Sequence, residues 1–238
     1  MSEIVLVHGS CHGAWCWRDL VPRLEAMGHE VTAIDLPGHG ADPTPPSDCT
    51  LEGCARAVAD AIPEGAVVVA HSWGGYPATR AADLIPGRIG RLIYLCAYAP
   101  WDGYSLADMR RAAPRQPLMQ AVMKAADGKS FMIDPEQTGD VFYHDCPPGT
   151  VAYANARLCP QAIGPQEEAI TLGAGTAQVP KSYIRCTEDR TIPPEFQITM
   201  TESWPEKDVH EMHTGHSPFF ADPDGLAALI DRISRASA

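Results

Sequence analysis

Ser72 is the residue whose surroundings in this sequence best suit nucleophilic chemistry. It follows an apolar run at 66–69 that is typical of a buried strand, and it precedes a stretch at 77–84 that is typical of a helix. A serine at a sharp strand-to-helix turn exposes its hydroxyl, provided that the residues two positions before and after it are small. Gly74 meets this requirement, and Ala70 exceeds it by one methyl group. The alternative is that Ser72 only caps the following helix.

An activated serine needs a base that accepts its proton and a carboxylate that orients that base. Asp189 follows a predicted strand at 181–186. His216 follows a second predicted strand at 208–212. Both residues lie on loops beyond the carboxyl ends of their strands, where parallel sheets place their reactive groups. We therefore predict that Ser72, His216 and Asp189 form a catalytic triad that performs acyl transfer.

Neighbouring residues compete for two of these roles. Glu188 is adjacent to Asp189, but a solvated surface charge is the simpler interpretation of it. His213 comes directly after the strand that precedes His216, where a side chain more often packs or caps. The histidines that lie earlier in the chain, near the same edge of the predicted sheet, are expected to make structural hydrogen bonds. They are His8, His12, His39 and His71.

The loop after the first predicted strand, at 3–8, is expected to complete the machinery. Acyl transfer develops a negative charge on the carbonyl oxygen, which preorganised N–H groups stabilise. We predict that the backbone N–H groups of Ser10 and Trp73 form this oxyanion hole. Gly9 would let the backbone approach the substrate closely. The alternative is that His8 and Gly9 merely end a strand and turn the chain.

Strand and helix patterns alternate along the chain, as a mostly parallel, doubly wound α/β sheet requires. A chain of 238 residues with 45% hydrophobic content can form one compact domain of this class. Strands are predicted near 3–8, 29–35, 66–71, 90–97, 181–186 and 208–212. Helices are predicted near 14–27, 51–62, 73–85, 194–203 and 218–236.

The segment 101–178 is too long for a simple connection between two strands. We predict that it is a helical cap over the nucleophile, inserted into a core made of residues 1–100 and 179–238 as one structural unit. Short helices are expected in it at 105–113, 118–126 and 149–158. Such a cap would exclude water and select a compact apolar substrate.

Aromatic cap residues are the predicted substrate contacts. We expect Trp101, Phe142 and Tyr143 to contact the substrate together with Gly9 of the core. Each of the aromatic residues could instead pack inside the cap. Further candidates for the pocket wall, with the same alternative, are Met119, Met123, Phe131 and Leu158.

Charge and cysteine content restrict the partners and the compartment. The formal net charge of −12 argues against a basic surface that binds nucleic acid or an anionic membrane. No stretch is long and apolar enough to cross a bilayer, and the first predicted strand begins too near Met1 to leave room for a signal peptide. The eight cysteines include no C-x-x-C pair or metal-ligand spacing. We expect a cytoplasmic monomer or homodimer with reduced cysteines, a small-molecule partner and no metal or cofactor.

The sequence resembles the α/β-hydrolase superfamily, and within it the branch of plant methyl esterases, hydroxynitrile lyases and bacterial pyrethroid-hydrolase-like esterases. The resemblance runs nearly end to end and is carried by the stretches 5–17, 28–36, 70–75 and 188–197. It implies an α/β-hydrolase fold and, in the chain order of that family, a triad of Ser72, Asp189 and His216. The order agrees with the assignment made from the predicted strands.

The predicted activity is that of a serine carboxylesterase acting on a small to medium apolar or aromatic ester. A lactonase or a carbon–carbon bond hydrolase could use the same triad, because a fold does not determine the substrate. The resemblance also implies two other classes, a hydroxynitrile lyase and a non-catalytic small-molecule receptor. The lyases of this branch have a threonine and a lysine where this chain has Gly9 and Ser217. The predicted triad and oxyanion loop are intact, which argues against a non-catalytic receptor, because a receptor would tolerate their loss.

Overall fold

A six-stranded sheet forms the centre of the computed structural model, which describes residues 1–236. Nine strands occur in chain order: β1 (Glu3–Val7), β2 (Glu30–Ile34), β3 (Ala66–His71), β4 (Ile89–Leu95), β5 (Val122–Lys124), β6 (Ser130–Ile133), β7 (Gln161–Ala162), β8 (Lys181–Cys186) and β9 (Val209–Met212). The central sheet has the order β2-β1-β3-β4-β8-β9, and every neighbouring pair in it runs parallel. The order reverses between β1 and β3, which confirms the predicted doubly wound sheet and places its reactive edge there.

Helices cover the sheet. They are α1 (Val21–Ala26), α2 (Leu51–Ala61), α3 (Gly75–Leu84), α4 (Leu106–Ala112), α5 (Thr138–Phe142), α6 (Thr150–Asn155), α7 (Gly164–Glu167), α8 (Ala174–Gln178), α9 (Pro194–Met200), α10 (Pro218–Ala221) and α11 (Pro223–Arg235). Short 3-10 helices occur at Ala14–Trp17, Pro46–Asp48, Ser72–Gly74, Pro117–Ala121 and Glu206–Asp208. In the described part of the chain, every helix is too short or too polar to pass through a lipid bilayer.

Two helices predicted as continuous are each divided at a proline. The predicted helix 14–27 is a 3-10 helix followed by α1, and the predicted helix 218–236 is α10 followed by α11. Proline has no N–H to donate and clashes with the preceding turn, so it is accommodated at the start of a helix and not in its middle. Pro22 and Pro223 both occupy that first turn.

Successive side chains of the buried strands point to opposite faces of the sheet, and this divides the core into two apolar layers. All six residues of β3 are buried, as expected for a strand covered on both faces. Val68 packs with α2, α3 and α9 on one face, whereas Val67 and Val69 pack with α1 and α11 on the other. The sheet is thus held rigidly between helices, and the loops at its edge are free to carry function.

The segment between β4 and β8 contains a small sheet in addition to helices. Strands β5, β6 and β7 form it with antiparallel pairing, in the order β5-β6-β7. The predicted helix at 118–126 is therefore wrong, because the chain there forms a 3-10 helix and then β5. The turn before β6 contains Asp127 and Gly128, and Gly128 has a φ of +69° that glycine adopts without strain. The division into residues 1–100, 101–178 and 179–238 stays a prediction.

Asp83 of α3 fastens the end of this segment to the core. Its carboxylate accepts hydrogen bonds from the N–H of Gly173 at 2.8 Å, from the N–H of Thr176 at 2.7 Å and from the Thr176 hydroxyl at 2.9 Å. Burial alone would raise the pKa of Asp83, but these hydrogen bonds hold it below its usual value. Helix α8 therefore begins at a fixed point against α3.

Candidate active site

Ser72 lies in the turn between β3 and α3 in a left-handed backbone conformation. Its φ is +55°, which is unusual for a residue with a side chain. The turn requires a small residue at 74, because a Cβ on Gly74 would lie 2.6 Å from the carbonyl oxygen of His8. The N-cap positions of the two helices that follow are His71 and Gly74, so the structure does not support the alternative of Ser72 as a cap. A strained serine at such a turn is typical of a nucleophile.

The structure brings the three predicted triad residues together. The Nε2 atom of His216 lies 3.1 Å from the Oγ atom of Ser72, and its Nδ1 atom lies 2.8 Å from Oδ2 of Asp189. Both His216 and Asp189 are buried. A carboxylate can only accept, so Nδ1 carries the proton and Nε2 offers a lone pair to the serine hydroxyl. This arrangement can remove a proton from Ser72.

The carboxylate of Asp189 is held by several donors besides His216. Its Oδ1 atom accepts from the N–H groups of Thr191 at 2.7 Å and Ile192 at 3.0 Å. Its Oδ2 atom also accepts from Nε2 of Gln197 at 2.9 Å. Gln197, a fully buried residue of α9, has no counterpart in the sequence prediction, because nothing in its spacing indicated that its side chain reaches the acid.

The two competing residues lie outside this arrangement. Glu188 is exposed and lies in a surface cleft on the outer side of the loop. His213 is also exposed, and its Nδ1 atom lies 3.1 Å from the hydroxyl of Thr187. Glu188 and His213 are thus exposed, whereas Asp189 and His216 are buried. The geometry favours Asp189 and His216.

A chain of hydrogen bonds supports the predicted oxyanion loop. Nδ1 of His12 donates to the carbonyl of Ser10 at 2.7 Å, and Nε2 of His12 accepts from the hydroxyl of Tyr143 at 2.7 Å. Burial lowers the pKa of His12 to about 4, so the ring is neutral at physiological pH and keeps this tautomer. The hydroxyl of Ser10 accepts from Nε2 of Gln166 at 2.8 Å. Both Ser10 and Trp73 line the cavity at Ser72, and their part in an oxyanion hole stays a prediction.

His71 and Gly9 fit tightly beside Ser72. Nε2 of His71 donates to the carbonyl of His216 at 2.8 Å, which fixes the loop that carries the base. Burial lowers the pKa of His71 well below its usual value, so the ring is neutral. A Cβ on Gly9 would lie 2.8 Å from Nδ1 of His71 and 2.8 Å from Cβ of Ser72. Position 9 therefore favours glycine, because a side chain there would collide with His71 and Ser72.

The cavity at Ser72 has one wall from the core and one from the segment between β4 and β8. Phe142 belongs to the second wall, and its ring lies nearly parallel to that of His216 at 5.7 Å between centroids. Tyr143 contacts His12 and not the cavity directly. The second wall also contains residues that the sequence analysis missed or left among many candidates: Leu106, Arg110, Leu118, Phe131 and Gln166.

Other predicted pocket residues lie elsewhere. Trp101 packs edge-on against Tyr104 and Phe196 and lines a separate groove, so it is not among the residues that line the cavity at Ser72. Met119 lines a neighbouring cavity, and Met123 is exposed. Leu158 packs against the core layer of α1 and α11. The pattern of apolar residues alone could not distinguish these positions from the true wall.

One group of side chains in the described residues brings three potential metal-ligand atoms near one another. The potential ligand atoms of His71, Cys96 and His216 lie within 4.8 Å of one another. Both ring nitrogens of His216 already contact Ser72 and Asp189, however. A bound metal would therefore displace the hydrogen bonds of the triad.

The sequence matches the Alpha/beta hydrolase family over residues 4–229. This chain belongs to that family. Methylesterase 1 of Arabidopsis thaliana is 31% identical over 98% of this chain and 96% of its own length, and Methylesterase 4 of the same plant is 30% identical over the same shares. Among solved structures, a pyrethroid hydrolase from Sphingobium faniae JZ-2 superposes with a TM-score of 0.88 at 25% identity, covering 99% of this chain and 98% of its own. The resemblance and the α/β-hydrolase fold predicted from the sequence are confirmed.

Proposed function

We propose that this protein is a serine carboxylesterase that forms an acyl-enzyme on Ser72. The observation that carries the proposal is the continuous contact from Ser72 through His216 to Asp189, in which Ser72 and His216 line a cavity. Membership of the α/β hydrolase family and the relatives named methylesterases support a hydrolase of carboxylic esters. Buried, hydrogen-bonded partners of this kind activate a serine that would otherwise be unreactive.

The proposed reaction has two halves. In the first, Nε2 of His216 accepts the proton of Ser72 while Oγ attacks the ester carbonyl, and Asp189 stabilises the imidazolium that forms. The backbone N–H groups of Ser10 and Trp73 stabilise the oxyanion, and His216 then protonates the departing alcohol. In the second half, Nε2 of His216 accepts a proton from the water that attacks the acyl carbon and returns a proton to Oγ of Ser72 as the bond to Oγ breaks and the acid is released. Apart from the attacking water, every group that the proposed reaction uses belongs to the protein chain or to the ester.

The wall of the cavity supports an ester with apolar or aromatic parts. Leu106, Leu118, Phe131 and Phe142 contribute apolar surface to it. Such surface excludes water and strengthens the electrostatic interactions around the reacting carbonyl. The relatives named methylesterases favour methyl esters as the first substrates to test. A lactone or a cleavable carbon–carbon bond remains an alternative for the same triad.

Two features favour hydrolysis over cyanohydrin cleavage. The residue after His8 is Gly9, where the packing against His71 and Ser72 leaves no space for a side chain. The residue after His216 is Ser217, a fully buried serine that carries no charge. Departing cyanide is an anion, and a charge-assisted hydrogen bond stabilises an anion about twice as strongly as a neutral one. Mandelonitrile should therefore give no benzaldehyde above the uncatalysed rate.

The test of the proposal combines turnover with labelling of the nucleophile. Purified protein is offered p-nitrophenyl acyl esters, aryl methyl esters and lactones, and an organophosphonate is used to label it. We expect ester turnover and a single label that peptide mapping places on Ser72, both absent in Ser72→Ala. Labelling of another residue, or a Ser72→Ala variant with most of its activity, would contradict the assignment. Tight binding of a small molecule without any turnover would favour the receptor.

The compartment and the oligomeric state stay predictions. We propose that the protein acts in the cytoplasm, where the free thiols of its eight cysteines would stay reduced. Whether it is a monomer or a homodimer is decided by light scattering of the purified protein.

A further inference from the structure

A permanent positive charge lies in the wall of the cavity that contains Ser72. Helix α4 contributes Leu106 and Arg110 to this wall, four residues apart and therefore on one face of the helix. The other lining side chains are apolar, aromatic, histidine, hydroxyl or amide groups. Arginine stays protonated in proteins whatever its surroundings. The site thus holds one guanidinium among groups without a permanent charge.

Arg110 has no partner for this charge within residues 1–236. Its Nε atom is buried and makes no hydrogen bond, and no carboxylate forms an ion pair with it. The adjacent Arg111 differs, because it is exposed and its Nη1 atom lies 2.7 Å from Asp108. Helix α4 therefore pairs one arginine with a carboxylate at the surface and leaves the buried Nε of the other, half-buried arginine without an acceptor beside the cavity. A buried donor of a charged group is unfavourable without an acceptor, so the missing acceptor is expected from a ligand.

Arg110 also lies where the remainder of a substrate would extend. It lines a second cavity beside the first, and Phe131 and Gln166 line both. The second cavity is bounded in addition by the apolar side chains of Met119 and Val122 and by one charge of each sign, Lys124 and Glu167. An ester whose carbonyl lies at Ser72 would project its distal part past Phe131 and Arg110 into this space.

We propose that Arg110 is a specificity-determining residue that binds a carboxylate carried by the ester substrate. The inference rests on the proposed esterase function and names its substrate class, which is an ester with a second, free acid group. A planar guanidinium binds a carboxylate through two parallel hydrogen bonds, which adds direction to charge. The chain as a whole has a formal net charge of −12, which repels anions at a distance. Recognition of an anionic ester therefore requires a local cation such as Arg110.

The test compares matched esters that differ only in this acid group. In the acyl pair, p-nitrophenyl hydrogen glutarate is compared with p-nitrophenyl valerate. In the alcohol pair, 4-(carboxymethyl)phenyl acetate is compared with 4-ethylphenyl acetate. Each kcat/KM is divided by the rate of hydroxide-catalysed hydrolysis of the same ester. Because the readout is a ratio within one protein sample, a partly unfolded variant does not distort it.

We expect the wild-type protein to favour the carboxylated member of one pair by about tenfold or more, in line with a hydrogen bond between charged groups. The pair that shows the preference identifies whether the acid lies on the acyl or the alcohol side. Arg110→Met should reduce the ratio to near one, and Arg110→Lys should retain part of it. Arg111→Met is the matched control and should leave the ratio unchanged. A ratio that is equal in wild type and Arg110→Met would overturn the proposal.

A binding measurement distinguishes failure of the proposed esterase function from failure of the proposed anion site. If the wild-type protein hydrolyses neither these four esters nor the p-nitrophenyl esters, aryl methyl esters and lactones named above, the proposed function fails, and glutarate and 4-hydroxyphenylacetate are then titrated by calorimetry. Binding of either acid that is lost in Arg110→Met but kept in Arg111→Met would support the anion site independently of catalysis. Absence of binding, or equal binding by wild type and Arg110→Met, would overturn it.

Discussion

At the scale of single residues, Tyr143 is placed to affect catalysis through His12. Its hydroxyl is the donor that holds Nε2 of His12, whose Nδ1 in turn holds the carbonyl of Ser10. We expect Tyr143→Phe to lower kcat by up to about tenfold, since one buried hydrogen bond is lost, with a smaller change in KM. The matched control is Tyr153→Phe, which removes a hydroxyl bonded to the carbonyl of Trp15 outside the cavity. Equal effects of the two variants on kcat would indicate a general loss of stability.

Asp189 and the adjacent Glu188 offer a direct comparison of two carboxylates. We expect Asp189→Asn to lower kcat on the order of 10^3–10^4-fold, because the amide no longer fixes the tautomer of His216. Glu188→Gln should change kcat little, since Glu188 is exposed. Steady-state kinetics on one p-nitrophenyl ester measure both variants. The reversed result would move the acid to Glu188.

At the scale of elements, the contact between α3 and α8 determines how the cap segment ends against the core. Asp83→Ala removes an acceptor that serves Gly173 and Thr176, and we expect a loss of about 1–3 kcal/mol in the free energy of unfolding. Urea unfolding followed by circular dichroism measures this loss. Asp60→Ala, at an exposed position of α2, is the control and should be nearly neutral. A similar small effect of both would show that the cap segment is held by other contacts.

The elements that carry the triad could be predicted from the sequence, whereas the cap could not. The strand before Ser72 is apolar and fully buried, and the strands before Asp189 and His216 both end at loops, so the carboxyl ends of the three strands indicate the reactive edge. The cap has shorter elements, and its hairpin at 122–133 is marked only by Asp127-Gly128. Short apolar runs are compatible with both helix and strand, and pairing across the chain decides between them.

The same limit applies to the side chains of the pocket. Phe142 and Phe131 reach the cavity while Trp101 does not, although all three are aromatic residues of the predicted cap. Arg110 and Gln166 had no sequence signal, because their roles depend on how α4 and α7 pack over the core. A residue's chemistry can be identified from sequence, but its direction in an irregular cap follows from tertiary packing.

At the scale of the whole molecule, buried neutral histidines make the fold sensitive to acid. Burial lowers the pKa of His8, His12, His39 and His71. An unfolded histidine binds a proton near pH 6.5. The unfolded chain therefore binds more protons than the folded one below that pH, and the free energy of unfolding falls as the pH falls. For His12, whose folded pKa is about 4, the expected loss at pH 5 is about 2 kcal/mol.

Urea unfolding at pH 7.5, 6.5 and 5.0 measures this dependence. His12→Asn should make the decline between pH 6.5 and 5.0 shallower by about 2 kcal/mol. His213→Asn replaces an exposed histidine and should leave the slope unchanged. A free energy of unfolding that is constant over this range would mean that the buried rings are protonated in the folded state.

The separation of Ser72 from His216 has a consequence for refolding kinetics. The two residues lie 144 positions apart, and the loop of His216 follows β9, which pairs with β8, which in turn pairs with β4. Parallel pairing between distant segments is slow. Closing the long loop between them costs conformational entropy before the favourable contacts of the paired strands can form. Helical circular dichroism should therefore recover first after dilution from urea, and hydrolytic activity last. The contact between Ser72 and His216 would thus report the slowest contacts in the sheet.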